Sequence, residues 1–236
     1  MLVAAAVCPC PPLLVPDVAA GAAPELDGLR TACSDAIAVL AASRPDRLVV
    51  VGPGHSEGIE RYPEGSVGDF RGFGVDVGVR LGAGDGTGDR PLPASLAVGA
   101  WLLARARWAG APAEGLAVGE RLAPARCADA GRELAAPPGR LALLVLGDGS
   151  ACRSLKAPGY LDERSAPFDQ RAARALGAAD TAALAALDEH LAYELKAAGR
   201  APWQVLAGAA EGAGLAGRLL YEDAPYGVGY FVAAWS

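Results

Sequence analysis

Short apolar runs alternate with segments whose apolar positions recur every three or four residues. Residues 2–7, Leu-Val-Ala-Ala-Ala-Val, form the first run, stopped by Cys8-Pro9-Cys10-Pro11-Pro12. Proline lacks the N–H that a strand ladder needs, so pairing must end there. From about 24 to 42, Leu26, Leu29, Cys33, Ile37 and Leu40 fall on one helical face, with Pro24 suited to the first turn. Residues 47–51 predict a buried strand closed by Gly52-Pro53-Gly54-His55. Strand, helix, strand is the unit that builds parallel sheets. The glycine-rich stretch 60–90 holds one alternating run at 75–79. A helix is expected over 92–108, with Gly110 as its C-cap, and residues 141–146 read as a second strongly apolar strand ended by Gly147-Asp148-Gly149-Ser150. A long loop covers 151–167. Helices are expected over 168–177 and 181–198, the latter with a stripe of Leu184, Leu187, Leu191 and Leu195, and a short one near 203–210. The end reads as a hairpin: 218–222, a turn at 223–225, then 228–235. With no internal repeat and no linker, residues 1–236 are expected to form one α/β domain, a three-layer fold whose mostly parallel sheet is flanked by helices and carries a C-terminal β-hairpin.

Composition narrows the function classes. The 236 residues are 52% hydrophobic but only 6% aromatic, which predicts a core of closely packed small side chains. A net charge of −6 without any basic run excludes a phosphate-backbone surface, so no nucleic-acid partner is expected. Arg105 and Arg107 interrupt the apolar stretch around Trp101, so no membrane span is expected. The five cysteines, Cys8, Cys10, Cys33, Cys127 and Cys152, lack the spacing of a disulfide framework. The apolar N-terminus lacks the basic start of a secretory signal. Both features predict a cytoplasmic protein.

Candidate chemistry follows from the strand ends, because ligands of open α/β sheets bind beyond the carboxyl ends of the strands. Cys8 and Cys10, His55, and Asp148 with Ser150 occupy such ends. The ordered motifs Val7-Cys8-Pro9-Cys10-Pro11-Pro12, Gly52-Pro53-Gly54-His55, Leu146-Gly147-Asp148-Gly149-Ser150 and Pro225-Tyr226-Gly227-Val228-Gly229-Tyr230 span almost the whole chain. Together they resemble the class III extradiol ring-cleavage dioxygenase superfamily, in particular the catalytic-chain fold of its small members and the related Memo-type proteins. The resemblance implies a non-haem metal, Fe(II), held by two histidines and a carboxylate with positions open for a catecholate and O₂. Carried over residue by residue, it makes Cys10, His55 and Glu222 the metal donors, with Asp223 rivalling Glu222. His55 and Asp148 are the implied catalytic positions, and Tyr160 or Asp148 would help to place substrate.

Two departures change the expected chemistry. Cys10 stands where the family has a histidine, and a thiolate donor makes Zn(II) plausible beside Fe(II). Ala151 stands where the ring-cleavage acid/base histidine belongs, with Cys152 beside it. Losing such a group removes about 10²–10⁴-fold of rate. The expectation is therefore a dioxygenase-like protein with a metal site in a pocket at the strand C-termini and impaired or divergent ring cleavage. Its expected partner is a small molecule, aromatic by resemblance, and a homo-oligomer is the default assembly. The alternatives are an active non-haem dioxygenase or oxidoreductase on a catechol-like substrate, and a thiol-redox protein using Cys10.

Each residue also has a plain structural reading. Cys8 and Cys33 fit as small buried hydrophobes, and Cys127 has no assigned role. Asp148 fits as a turn former. His190 fits as a solvated helix edge, Lys156–Tyr160 as a surface loop or a lid, and Gly82–Gly86 matches no phosphate cradle.

Overall fold

The computed structural model describes residues 1–86 and 90–236; positions 87–89, the end of the expected glycine-rich stretch, lie outside the described residues. In chain order the elements are β1 (Leu2–Cys8), α1 (Pro16–Ala19), α2 (Asp27–Ala42), β2 (Arg47–Gly54), β3 (Ile59–Tyr62), β4 (Val67–Asp69), β5 (Gly78–Arg80), α3 (Ala94–Arg105), β6 (Ala113–Gly119), α4 (Pro124–Ala135), β7 (Leu141–Leu146), α5 (Ser165–Ala178), α6 (Thr181–Ala185), α7 (Glu189–Glu194), α8 (Arg200–Ala209), β8 (Gly217–Asp223) and β9 (Tyr230–Trp235). Seven strands make the central sheet in the order β3-β6-β2-β7-β1-β9-β8, while β4 and β5 form a separate two-stranded ribbon. The inner strands β6, β2, β7 and β1 are parallel; β3 and β9 join antiparallel, and β8 closes the hairpin.

Side chains alternate across a strand, so each β1 residue chooses one of two cores. Ala5 and Val7 enter a core built with α4, α5 and α8, around Phe168, Trp203 and Phe231. Ala4, Ala6 and Cys8 enter the other, built with α2 and α3, around Leu29, Ile37 and Leu96. The result is a three-layer α/β sandwich with a mostly parallel sheet and a C-terminal hairpin, as the pattern of apolar runs predicts. Among the described residues no helix is long and apolar enough to cross a membrane.

The small residues of the core act through backbone proximity. A Cβ on Gly131 of α4 would lie 2.0 Å from the Val205 carbonyl, and one on Gly208 of α8 would lie 2.1 Å from that of Ala128. These two glycines let α4 and α8 cross nearly backbone to backbone. Likewise, a Cβ on Gly99 would meet Val50 and Leu146 at 2.7 Å, so α3 sits directly on the sheet.

Several expectations change in detail. Strand β6 and helix α4 fall where the pattern suggests no element, because Ala-Glu-Gly-Leu-Ala-Val-Gly has few bulky residues and α4 buries only Cys127, Ala130, Gly131 and Leu134. The helix expected over 181–198 is two, broken where Asp188 turns its side chain onto the Leu191 N–H at 2.6 Å. An Asp that caps in this way competes with continued helix. Leu184, Leu187 and Leu195 are nonetheless buried. After α3 the left-handed position is Arg107, at φ 53°, and not Gly110.

Candidate functional site at the carboxyl edge of the sheet

The chain leaves neighbouring strands toward opposite faces. From β1 and β2 it runs to α2 and α3 in one layer; from β7 it runs to α5 in the other. In open α/β sheets such a parting of connections marks the strand C-termini as the place where ligands bind. The loops after β1, β2 and β7 meet there, joined by the start of β9 and the end of β8, which reach the same edge through their antiparallel pairing.

Asp148 lies at the centre of this edge. Its Oδ1 accepts a hydrogen bond from the Cys10 backbone N–H at 2.8 Å, tying the β1 loop to the β7 loop. Burial pushes its carboxyl up to about 7, although the Cys10 N–H favours the ionised form. Tyr230 and Cys10 are both close enough to feel its charge. Burial holds the Tyr230 phenol above its ordinary range. Burial, with the negative charge of Asp148 and Glu120, raises the Cys10 thiol well above its usual value. The edge thus combines a buried protonated thiol and a buried protonated phenol with a carboxyl able to exchange a proton near neutrality. A carboxyl shifted in this way is a marker of functional sites.

The neighbouring residues show why the glycine motifs exist. Ser150 donates its N–H to Asp169 Oδ1 at 2.8 Å and its hydroxyl to Oδ2 at 2.9 Å; Arg153 reaches the same Oδ2 at 2.9 Å. Asp169 is fully buried. A Cβ on Gly149 would lie 2.9 Å from one Asp169 oxygen, and one on Gly229 would lie 2.6 Å from the other. Gly149 and Gly229 also exchange backbone bonds across the two loops, from Gly149 N–H to Gly229 C=O and from Gly229 N–H to Ser150 C=O. Asp169 therefore welds Gly-Asp-Gly-Ser to Gly-Val-Gly-Tyr, the two loops that carry Asp148 and Tyr230. It went unrecognised in the sequence because it sits within a helix, 19 residues from its partner.

The three expected metal donors are not gathered. Cys10 is 8% exposed and packs in the α2/α3 core layer. His55 is exposed, in a depression of about 220 Å³ that it shares with Ser56, Glu57, Glu120, Arg121 and Tyr193. Glu222 pairs with Phe231, whose ring enters the layer opposite to that of Tyr230 and Cys10. Residues directly opposed in an antiparallel ladder share a face. Asp223, the rival, pairs with Tyr230 and so shares its face. Strands β2 and β8 are four positions apart in the sheet, a separation of about 19 Å at the usual strand spacing. Among the described residues no three His, Cys, Asp or Glu side chains converge to hold a metal ion. An Fe(II) facial triad therefore does not fit the donors in this arrangement.

The remaining positions are equally definite. Ala151 and Cys152 turn inward, the Ala151 N–H onto the Leu195 carbonyl at 2.9 Å and the Cys152 thiol onto the same oxygen at 3.5 Å. Cys8 is buried beside Cys33, whose hydrogen bond raises its thiol. Cys127 is a buried thiol beside Arg200. All five cysteines are free. His190 is exposed and pairs with Glu194 at 3.1 Å. The loop carrying Tyr160 packs against Gly227 through Ser154 and Ala157, leaving the Tyr160 ring in solvent.

No protein-family model matches the chain, and no curated protein matches it. Among solved structures, an uncharacterized protein from Escherichia coli K12 is similar, with a TM-score of 0.61 and 14% identity, covering 99% of each chain. At that identity the likeness concerns the fold alone.

Proposed function

We propose that the chain keeps the scaffold of the class III extradiol dioxygenase group as a small-molecule-binding protein, with ring cleavage lost or diverted. The observation that carries this is Asp148, a carboxyl shifted to about 7, tied to the Cys10 N–H and within electrostatic reach of Tyr230 at the carboxyl edge of the sheet. A small aromatic molecule with hydroxyl groups suits it, because an ionised carboxylate accepts hydrogen bonds from phenols strongly. Three placements favour loss of ring cleavage: the inward turn of Ala151, the protonated state of Cys10, and the face that Glu222 occupies. Binding of Fe(II), or of Zn(II) through Cys10, would require that thiol to ionise and the His55 and Glu222 strands to rearrange. A cytoplasmic setting belongs to the same proposal and is supported by five free thiols.

Metal analysis with oxygen-electrode assays on catechol tests it. The purified protein should hold no stoichiometric iron, and Fe(II) addition should give no oxygen uptake above the protein-free rate. Stoichiometric iron lost in both Cys10→Ala and His55→Ala, together with oxygen uptake, would return the protein to the active dioxygenases. Catechol affinity should rise as pH increases through about 7, and Asp148→Asn should abolish that dependence.

A further inference from the structure

A concavity of about 510 Å³ lies away from Asp148, between α5 and the α6–α7 segment. Its origin is compositional. Ala175 and Ala178 on α5 face Ala183 and Ala186 across the groove, and methyl groups are too short to fill the space between two helices. Phe168 and Leu187, both buried, supply an apolar floor. The volume falls within the range of about 300–1,000 Å³ typical of small-molecule sites.

The rim carries charge of a particular kind. Arg171 and Arg174, three residues apart on α5, lie on the same side of the helix, and both are exposed. Among the described residues neither forms an ion pair. Two acidic residues also line the groove, but each is committed to a helix cap. Asp180 accepts from the Ala183 N–H at 2.9 Å, and Asp188 accepts from the Leu191 N–H at 2.6 Å. Two like charges at this spacing repel one another, and an anion between them would relieve the repulsion. A guanidinium's planar donors match a carboxylate in a two-point contact.

We infer that this groove is a second ligand site, taking a small amphipathic carboxylate whose apolar body rests on Phe168 and Leu187 and whose acid group meets Arg171 and Arg174. Calorimetric titration with octanoate, 1-octanol and octylammonium tests the assignment on the full chain. Octanoate should bind at least tenfold more tightly than octanol or octylammonium. The double variant Arg171→Ala with Arg174→Ala should lose that preference at unchanged melting temperature, since both side chains are exposed. Arg126→Ala, an exposed arginine of α4, should leave octanoate binding unchanged. Equal binding of the three probes, no measurable octanoate binding, or equal weakening by Arg126→Ala would overturn the site.

Discussion

Two carboxylates at this edge, Asp169 fully buried and Asp148 half-buried, differ in how they are held, and this separates their consequences. Asp169 accepts three hydrogen bonds, one from a guanidinium. Asp169→Ala would strand Arg153 and leave the Ser150 donors unmet. That change should cost about 1–3 kcal/mol in denaturant titrations, the usual penalty for leaving buried donors unsatisfied, since Arg153 is partly exposed and can be solvated. Burial raises both carboxyls; Asp148 has only a single backbone donor to oppose it, and its folded pKa reaches about 7. A carboxyl raised on folding binds more protons in the native state than in the unfolded one. Its contribution to stability is then fully present below the unfolded value of 3.8 and is lost as pH climbs to about 7. A comparison of unfolding free energies should find that Asp148→Asn removes this decline. The variant should be the more stable protein at pH 8, by about 2–4 kcal/mol. At Cys10, burial keeps the thiol protonated, which opposes a thiol-redox role because the thiolate is the reactive form. A thiol reagent at pH 8 should label the native protein slowly and all five cysteines rapidly once it is denatured; fast labelling of native Cys10 would favour redox chemistry.

Among the elements, α4 and α8 depend most on what is missing from their side chains. Gly131 and Gly208 face the partner backbone at distances no Cβ can occupy. Valine at either position must separate the two helices, and overpacking of this kind costs about 1–3 kcal/mol or more. Gly131→Val and Gly208→Val should each lower the melting temperature by several degrees or prevent folding, whereas Gly212→Asn, in open space at φ 70°, should be tolerated. The same chemistry hid these elements from the sequence. Strongly apolar strands such as β7, with Leu141 to Leu146, announce themselves through bulk. By contrast, β6 and α4 bury mainly alanine, glycine and cysteine, which hydrophobic periodicity barely registers. The break at Asp188 was hidden for a related reason: the leucine stripe continues through it, and only the local cap shows that the helix stops.

For the molecule as a whole, topology was far more legible than the site. Apolar runs mark β1, β2, β7 and the two hairpin strands, and predict the three layers. Sequence order also brings Cys10, His55 and Asp148 correctly to one edge of the sheet. It carries no information about which face each side chain takes, and that decides whether three donors can share an ion. Glu222 and Asp223 differ by one position and therefore by a face. What this edge offers is Asp148, tied to the β1 loop through the Cys10 N–H, and its ability to take up a proton near neutrality is the property on which the proposed ligand recognition depends. Carboxyl-carbon NMR measures it directly, with Asp148→Asn identifying the resonance. A midpoint near 7 is expected for Asp148, whereas titration near 3.8, the ordinary aspartate value, would contradict a proton-exchanging carboxyl at this edge.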